Sequence, residues 1–305
     1  RSLLYAAGET AWWPLTAPLK RSNLLHFPAD TGAVVPSSVP IVSTIHGLAT
    51  LHVPGVRSRG ADWLWRARVK RLAKVSDQII TVSSSSADDI AFFEPSTSNR
   101  ISVIHHGIDS SRFNREAVSS IDAVRAKFGI QERYFFYAGN LDPRKNLVEL
   151  AAAARSVFFA TGLELIVSGA PAWDSSHILE ALRGTPGVRY IGRTSDNEMV
   201  TLMQNTTAFC FPSTYEGFGF PVLEAMACGA PVICSDRGSL EEVAGHAALM
   251  LDDIDRETIA DAMIALARDD QARQKLIAEG TINAARFRWE SSADQHATIF
   301  REVGR

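Results

Sequence analysis

The sequence predicts an α/β protein made of two Rossmann-like, doubly wound parallel-sheet domains. Three observations carry that prediction. Strand-sized apolar runs alternate with helical patterns through most of the chain, as they do when parallel strands are covered by helices on both faces. A polar stretch, Asp109–Ala123, divides these elements into two series. With 305 residues, 46% of them apolar, the chain is long enough to bury two cores.

In the first series, strands are expected at Leu24–Phe27, Pro40–His46, Gln78–Ser83 and Arg100–Gly107, with helices at Asp62–Ala73 and Ala87–Phe93. In the second, strands are expected at Tyr134–Asn140, Leu163–Gly169, Val188–Gly192, Ala208–Ser213, Pro231–Ser235 and Ala247–Leu251. Helices fill Leu147–Ala160, Asp196–Gln204, Asp255–Arg268 and Gln271–Ala285. Trp289, Ala293, Ala297, Phe300 and Val303 form one helical stripe at the end of the chain. The expected organisation is an N-terminal domain over 1–115, a second domain over 116–288, and a helix over 289–305 whose stripe can pack on either half, including back on the N-terminal domain. In such folds the first strand and its Gly-rich turn open the ligand crevice, and nothing upstream of Leu24 matches that element. The N-terminal domain is therefore expected to be truncated, and the missing initiator Met fits a fragment.

Composition excludes several classes. With 31 basic and 34 acidic side chains and a net charge of −3, there is no global attraction to nucleic acid. The longest uncharged apolar stretches are strand-sized, so no membrane span is expected. Arg1-Ser2-Leu3-Leu4-Tyr5 runs quickly into Gly8, Glu9 and Pro14, unlike a signal peptide. Cys210, Cys228 and Cys234 lack C-x-x-C spacing and sit in apolar contexts, which predicts buried thiols in a reducing compartment, with the cytoplasm as default.

The most informative segment is 212–236, where Glu216 and Glu224 flank the turn Gly217-Phe218-Gly219-Phe220. Pro221 suits the opening of a helix over Val222–Cys228, which puts Glu224 in its first turn, and Gly229 suits its end. Strand, Gly-rich turn and helix N-terminus in that order hold an anion, because unpaired N–H groups and the positive dipole end point into the turn. The two carboxylates suggest a ligand with hydroxyls as well as phosphates. Arg144 and Lys145 follow a predicted strand and are the cations best placed for a diphosphate. The bland alternatives are a carboxylate complementing a helix dipole and a solvated basic loop.

This block resembles the donor-binding signature of retaining glycosyltransferases of family 4, which have the GT-B fold. Ser43-Thr44-Ile45-His46-Gly47-Leu48, Ile80-Thr81-Val82-Ser83 and Val103-Ile104-His105-His106-Gly107-Ile108-Asp109 resemble further family segments in the expected order. So does Tyr137-Ala138-Gly139-Asn140-Leu141-Asp142-Pro143-Arg144-Lys145-Asn146, whose Pro-Arg-Lys-Asn form is most like mannosyltransferases and related enzymes of bacterial surface polysaccharides. The resemblance implies transfer of a hexosyl, specifically mannosyl, unit from a nucleoside-diphosphate sugar to a glycan or lipid-linked acceptor with retention of configuration. It implies His46 and Glu216 as catalytic residues that contact the transferred sugar. It places the donor on Asn140, Arg144, Lys145, Gly217, Phe218, Gly219, Phe220, Val222 and Glu224, with Glu224 on the ribose hydroxyls. Asn140 stands where the family often has Arg, which leaves the phosphate charge to Arg144 and Lys145. Of His105-His106-Gly107 only Gly107 fits the family pattern, and the two histidines read as structural.

No metal or other cofactor is expected, since no Asp-x-Asp site is read at a strand end, and the leaving diphosphate is stabilised by Arg144, Lys145 and the helix N-terminus. Two alternatives remain: a truncated nucleotide-sugar-binding module without turnover, and a GT-B nucleotide-sugar epimerase. Segment 57–74 holds Arg57, Arg59, Arg66, Arg68, Lys70, Arg71 and Lys74 with Trp63, Trp65 and the single acid Asp62. It reads either as peripheral contact with an anionic membrane at the inner face of the plasma membrane, or as an ordinary helix burying Trp65, Val69 and Leu72 beneath a solvated basic face.

Overall fold

The computed structural model describes residues 11–17, 22–53, 58–172 and 175–305. Arg1–Tyr5, Gly8, Glu9 and Arg57, which entered the readings of a leader and a basic run, lie outside the described residues. The chain forms two compact units. The first comprises Arg1–Gly107, Glu216–Phe218 and Arg288–Arg305; the second comprises Ile108–Tyr215 and Gly219–Phe287.

Among the described residues, the first unit holds four parallel strands, β1 (Leu25–Phe27), β2 (Ile41–Ile45), β3 (Gln78–Thr81) and β4 (Ile101–Val103), in spatial order β1-β2-β3-β4. Alternation along β2 and β3 sends side chains to opposite faces. Ile45 and Ile79 join Leu48, Val69, Ala73 and Ile90 under the helices Arg59–Val75 and Ser84–Phe93. Val42 and Ile80 join Ile104 on the other face, covered by Ile299, Phe300 and Val303 of the helix Trp289–Val303. The buried face of that last helix is displaced from the predicted stripe: Ser292 is buried and Ala293 exposed. β4 is shorter than the expected Arg100–Gly107, because the Ile104 N–H makes a last bond to the Thr81 carbonyl before the chain leaves the sheet.

The second unit holds six parallel strands: β5 (Tyr134–Ala138), β6 (Glu164–Ser168), β7 (Val188–Gly192), β8 (Ala208–Phe211), β9 (Val232–Ser235) and β10 (Leu249–Leu251). Their order is β10-β9-β8-β5-β6-β7. The chain lays β6 and β7 on one side of β5, then crosses to build β8, β9 and β10 on the other. The order therefore reverses between β5 and β8, the position where open α/β sheets bind ligands beyond the carboxyl ends of their strands. β5, β8 and β9 are buried at every residue, as strands covered on both faces must be. The helix Asp196–Gln204 opens with a capping box: Ser195 accepts from the Glu198 N–H and Glu198 accepts from the Ser195 N–H.

Three helices of this unit were not expected: Ile121–Phe128, Ser176–Gly184 and Leu240–Ala244. The first has local signals, since the Ser120 hydroxyl accepts from the Ala123 N–H and Gly129 closes it at φ 68°. All three are short and are seated by few buried side chains: Val124 in the first, Ile178 and Leu182 in the second, and Leu240, Val243 and Ala244 in the third.

Candidate functional site

The residues singled out above fall at the carboxyl ends of both sheets, and each end is best described within its own unit.

In the second unit the loop after β5 is shaped by Asp142. Its Oδ1 accepts the Arg144 N–H at 2.9 Å and the Arg144 Nε at 3.3 Å, folding Pro143–Lys145 into a single 3₁₀ turn. Asn146 follows in the left-handed region, φ 56°, a conformation that asparagine tolerates better than most residues. Its Nδ2 donates to the Ile254 carbonyl at 2.8 Å, and the helix Leu147–Thr161 starts immediately after. The Arg144 carbonyl accepts from the Thr214 N–H at 2.8 Å, from Thr214 Oγ1 at 3.0 Å and from Ser213 Oγ at 3.1 Å. The loop after β5 is thereby tied to the loop after β8, across the point where strand order reverses. Lys145 is only 8% exposed, and its Nζ lies 4.7 Å from the centre of the Phe211 ring at the end of β8. Asn140 is exposed, and its carbonyl accepts from the Tyr137 hydroxyl at 3.2 Å.

Gly219 caps the next helix at φ 102°, and the helix runs Phe220–Ala227 with Pro221 in its first turn. It starts two residues before the predicted Val222. Glu224 therefore sits in the second turn and not the first, a correction that follows from the left-handed Gly219 turning the chain early. Val222 is buried and Glu224 half-buried. Burial pushes the Glu224 carboxyl up to about 7; Arg112 opposes that rise and Asp196 adds to it. Arg112 itself meets Asp196 Oδ1 at 2.5 Å. Arg112 and Asp196 were not singled out in the sequence, because only folding brings them to Glu224.

In the first unit, His46 stands one residue beyond β2. Its backbone N–H donates to Asp30 Oδ1 at 2.7 Å, and its Nε2 lies 3.0 Å from the Pro28 carbonyl. A carbonyl only accepts, so Nε2 carries the proton, and in the neutral ring Nδ1 is the acceptor. The His106 ring stacks on His46 with centroids 5.5 Å apart and planes at 21°. It also meets Phe218 edge-on at 5.1 Å and Trp289 at 5.5 Å. His106 is held down at about 4 by burial first, then by His46, His296 and His105. Burial, His296 and His46 likewise lower His26.

The tripeptide Glu216–Phe218 belongs to this unit. Ser83 Oγ, at the cap of the helix Ser84–Phe93, donates to the Gly217 carbonyl at 2.8 Å, and Ser86 Oγ donates to it at 3.3 Å. A Cβ on Gly217 would stand 2.1 Å from the His46 carbonyl, so only glycine fits there. Glu216 is 7% exposed and Phe218 is buried.

One sequence expectation needs correcting. An Asp-x-Asp does follow a strand: Asp253-Ile254-Asp255 comes shortly after β10. Both carboxylates are engaged locally. Asp253 Oδ1 accepts the Ile254 N–H at 2.7 Å, and Asp255 Oδ1 caps the helix Arg256–Arg268 through the Thr258 N–H at 2.8 Å.

The basic helix Arg59–Val75 buries Val69, Leu72 and Ala73, and Trp65 packs against the same core. Much of its charge is locally matched: Arg66 pairs with Asp62, and Lys70 and Lys74 each lie 3.6 Å from Glu94. Trp63 is 72% exposed and Leu64 55%. Among the described residues, no helix is long and apolar enough to cross a membrane. Cys210, Cys228 and Cys234 are free thiols, all buried.

Comparison with known proteins fits this geometry. Residues 120–282 match the family described as Glycosyl transferases group 1, and residues 17–112 match Glycosyltransferase Family 4. An O-antigen chain mannosyltransferase B of Escherichia coli is 29% identical over 265 residues, covering 85% of this chain and 70% of that protein. An alpha-maltose-1-phosphate synthase of Mycolicibacterium smegmatis is 29% identical over 286 residues, covering 87% of this chain and 73% of the relative. In fold, the chain is similar to HepE of Anabaena, crystallised with UDP and glucose: TM-score 0.74 at 17% identity, over 94% of this chain and 80% of that one.

Proposed function

This chain belongs to the group 1 glycosyl transferases, and we propose that it moves a mannosyl unit from a nucleoside-diphosphate sugar to a glycan or lipid-linked acceptor, with retention of configuration. One observation carries the reading. Arg144 and Lys145 after β5, and the loop and helix N-terminus after β8, flank the point where strand order reverses in the six-stranded sheet. A sugar nucleotide needs this combination, with cations and a helix N-terminus for its diphosphate and a carboxylate for its ribose.

In this reading Arg144, Lys145 and the N–H groups of Gly219 and Phe220 meet the diphosphate, and their stabilisation grows as the leaving group gains charge. Glu224 accepts hydrogen bonds from both ribose hydroxyls, one on each oxygen, which its ionised form does best. Glu216 and His46 bind the transferred sugar, with Gly217 and Phe218 setting their backbone. Asn140 and Val222 complete the wall around the nucleotide. The departing phosphate takes the acceptor's proton on the same face of the sugar, which yields retention without a protein nucleophile. The reading assigns no step to a metal. Mannose is favoured by the E. coli relative, whose name gives that sugar; the M. smegmatis relative makes a different product, so the donor must be tested directly.

Incubation with GDP-, UDP- and dTDP-sugars plus a glycan acceptor tests the proposal by release of free nucleoside diphosphate and growth of the acceptor. Binding without release would establish a sugar-nucleotide-binding module, and an altered sugar on recovered donor would establish an epimerase. If Glu216→Ala and Lys145→Ala leave both affinity and turnover intact, the site assignment is wrong.

The exposed Trp63 and Leu64 on a basic helix favour a second partner, an anionic membrane surface that presents a lipid-linked acceptor. Co-sedimentation with anionic but not zwitterionic vesicles, lost in the Trp63→Ala/Leu64→Ala variant, is the expected result. Equal recovery with both vesicle types would remove this partner.

A further inference from the structure

We propose that His106 is a positioning residue for His46, fixing the orientation and tautomer with which His46 meets the transferred sugar. The inference rests on the reading of His46 given above.

Three contacts define the arrangement. The His106 ring stacks on His46 at 5.5 Å, meets Phe218 in a T-shaped contact at 5.1 Å and lies tilted against Trp289 at 5.5 Å. The adjoining Gly107 leaves no room to shift, since a Cβ there would stand 2.1 Å from the Trp289 nitrogen. His106 is therefore fixed between the end of β2, the Glu216–Phe218 tripeptide and the start of the C-terminal helix. It is the fixed partner, and His46 is the ring it holds.

Besides the His106 ring, His46 is held through its N–H on Asp30 Oδ1 and through Nε2 on the Pro28 carbonyl. The first holds backbone and the second holds one ring atom. Neither stops the ring from tilting about the Nε2 contact. A flat neighbour at stacking distance does, and it keeps Nδ1 aimed as the acceptor for a sugar hydroxyl. A charged neighbour would compete for that lone pair and repel a protonated His46. The His106 ring lies against His46, Phe218 and Trp289, and burial first, then His46, His296 and His105, holds it down at about 4, so the ring is neutral near pH 7.

The test measures tautomer and turnover separately. Long-range ¹H–¹⁵N spectra at pH 8 should show one Nε2–H tautomer for His46 in the wild-type chain and in His106→Phe, which keeps a stacking ring. In His106→Ala, or His106→Leu should the alanine variant not fold, the two His46 tautomers should average. Turnover of the sugar nucleotide should fall about tenfold in kcat in those ring-less variants, with KM for the donor unchanged, and His106→Phe should restore it. A single Nε2–H tautomer in the ring-less variants overturns the proposal, as does a rise in donor KM with kcat unchanged. If wild-type chain turns over no donor, the functional reading fails, and the tautomer spectra alone still decide whether His106 positions His46.

Discussion

At the carboxyl end of the four-stranded sheet, neutral rings hold one another: His46 on His106, and His106 against Phe218 and Trp289. At the carboxyl end of the six-stranded sheet, formal charges are fixed in place: Arg144 by the Asp142 carboxylate and by the bonds its carbonyl accepts from Ser213 and Thr214, and the nearly buried Lys145 over the Phe211 ring. The difference follows from strand order. The six-stranded sheet reverses its order between β5 and β8, the position where open α/β sheets bind ligands, whereas the described strands of the other sheet run in simple succession. One end is organised for charge, the other for orientation, and pH should act on them in opposite directions.

The largest effect should come from removing charge at the six-stranded end. Lys145→Ala is expected to weaken sugar-nucleotide binding roughly 10²-fold by calorimetry, because a desolvated cation facing phosphate is worth several times an exposed one. An effect as small as that of a surface lysine would dissolve the contrast between the two ends.

Next comes Gly217→Ala. Its Cβ would meet the His46 carbonyl at 2.1 Å, so the four-stranded end must open. A loss of about 1–3 kcal/mol in thermal or urea unfolding is expected, the usual cost of forcing an atom into packed space. Unchanged stability would mean that the tripeptide is held loosely.

Glu224 supplies a pH dependence of binding. With its carboxyl pushed up to about 7 by burial, affinity for an intact sugar nucleotide should rise about tenfold from pH 6 to pH 8 as the group ionises. The intact donor is the right probe, since its diphosphate diester does not titrate there. Glu224→Gln should give a flat profile, and a slope that persists in that variant points to another group. For the fold itself the same shift acts as a cost: stability tied to Glu224 falls as pH rises from its ordinary value of 4.5 through about 7.

The smallest effect is the reverse one. His106 is lowered from 6.5 to about 4, chiefly by burial, so the unfolded chain binds more protons in that interval. Its contribution to stability is complete above 6.5 and is lost as pH falls toward 4. The midpoint of thermal unfolding should therefore drop on acidification, and less steeply in His106→Phe. Equal slopes in the two proteins would show that His106 does not report the acid sensitivity of this end.

Much of this was legible before folding was considered. Strands such as Tyr134–Ala138 and Ala208–Phe211 are continuous apolar runs between turn residues, and the helix Asp196–Gln204 carries its capping box in adjacent letters. The turn Glu216–Phe220 and the pair Arg144-Lys145 are local motifs, whose residue types alone suggest phosphate and hydroxyl recognition. The helix Ile121–Phe128 is marked in the sequence by Ser120 and Gly129, although its start lies in the polar stretch Asp109–Ala123 that reads as the domain boundary. The placement of Glu224 was misread by a single helical turn, because a left-handed Gly219 starts the helix earlier than Pro221 suggests.

Other features depend on distant parts of the chain. That β8 pairs with β5 and not with β7 is a matter of sheet order, which no local pattern encodes, and it decides where the cations face. His105 and His106 read as structural because only Gly107 of that segment fits the family pattern; the ring that His106 stacks on lies 60 residues earlier, at the end of β2. Arg112 and Asp196 reach Glu224 only after the turn at Arg112 has packed with the helices Asp196–Gln204 and Phe220–Ala227. Residue types and their spacing thus determined the class of chemistry, because turns, caps and apolar runs are set by neighbours in the chain. Burial, the shifted protonation of Glu224 and His106, and the pairing of His46 with His106 were left to packing, because those depend on which surfaces exclude water together.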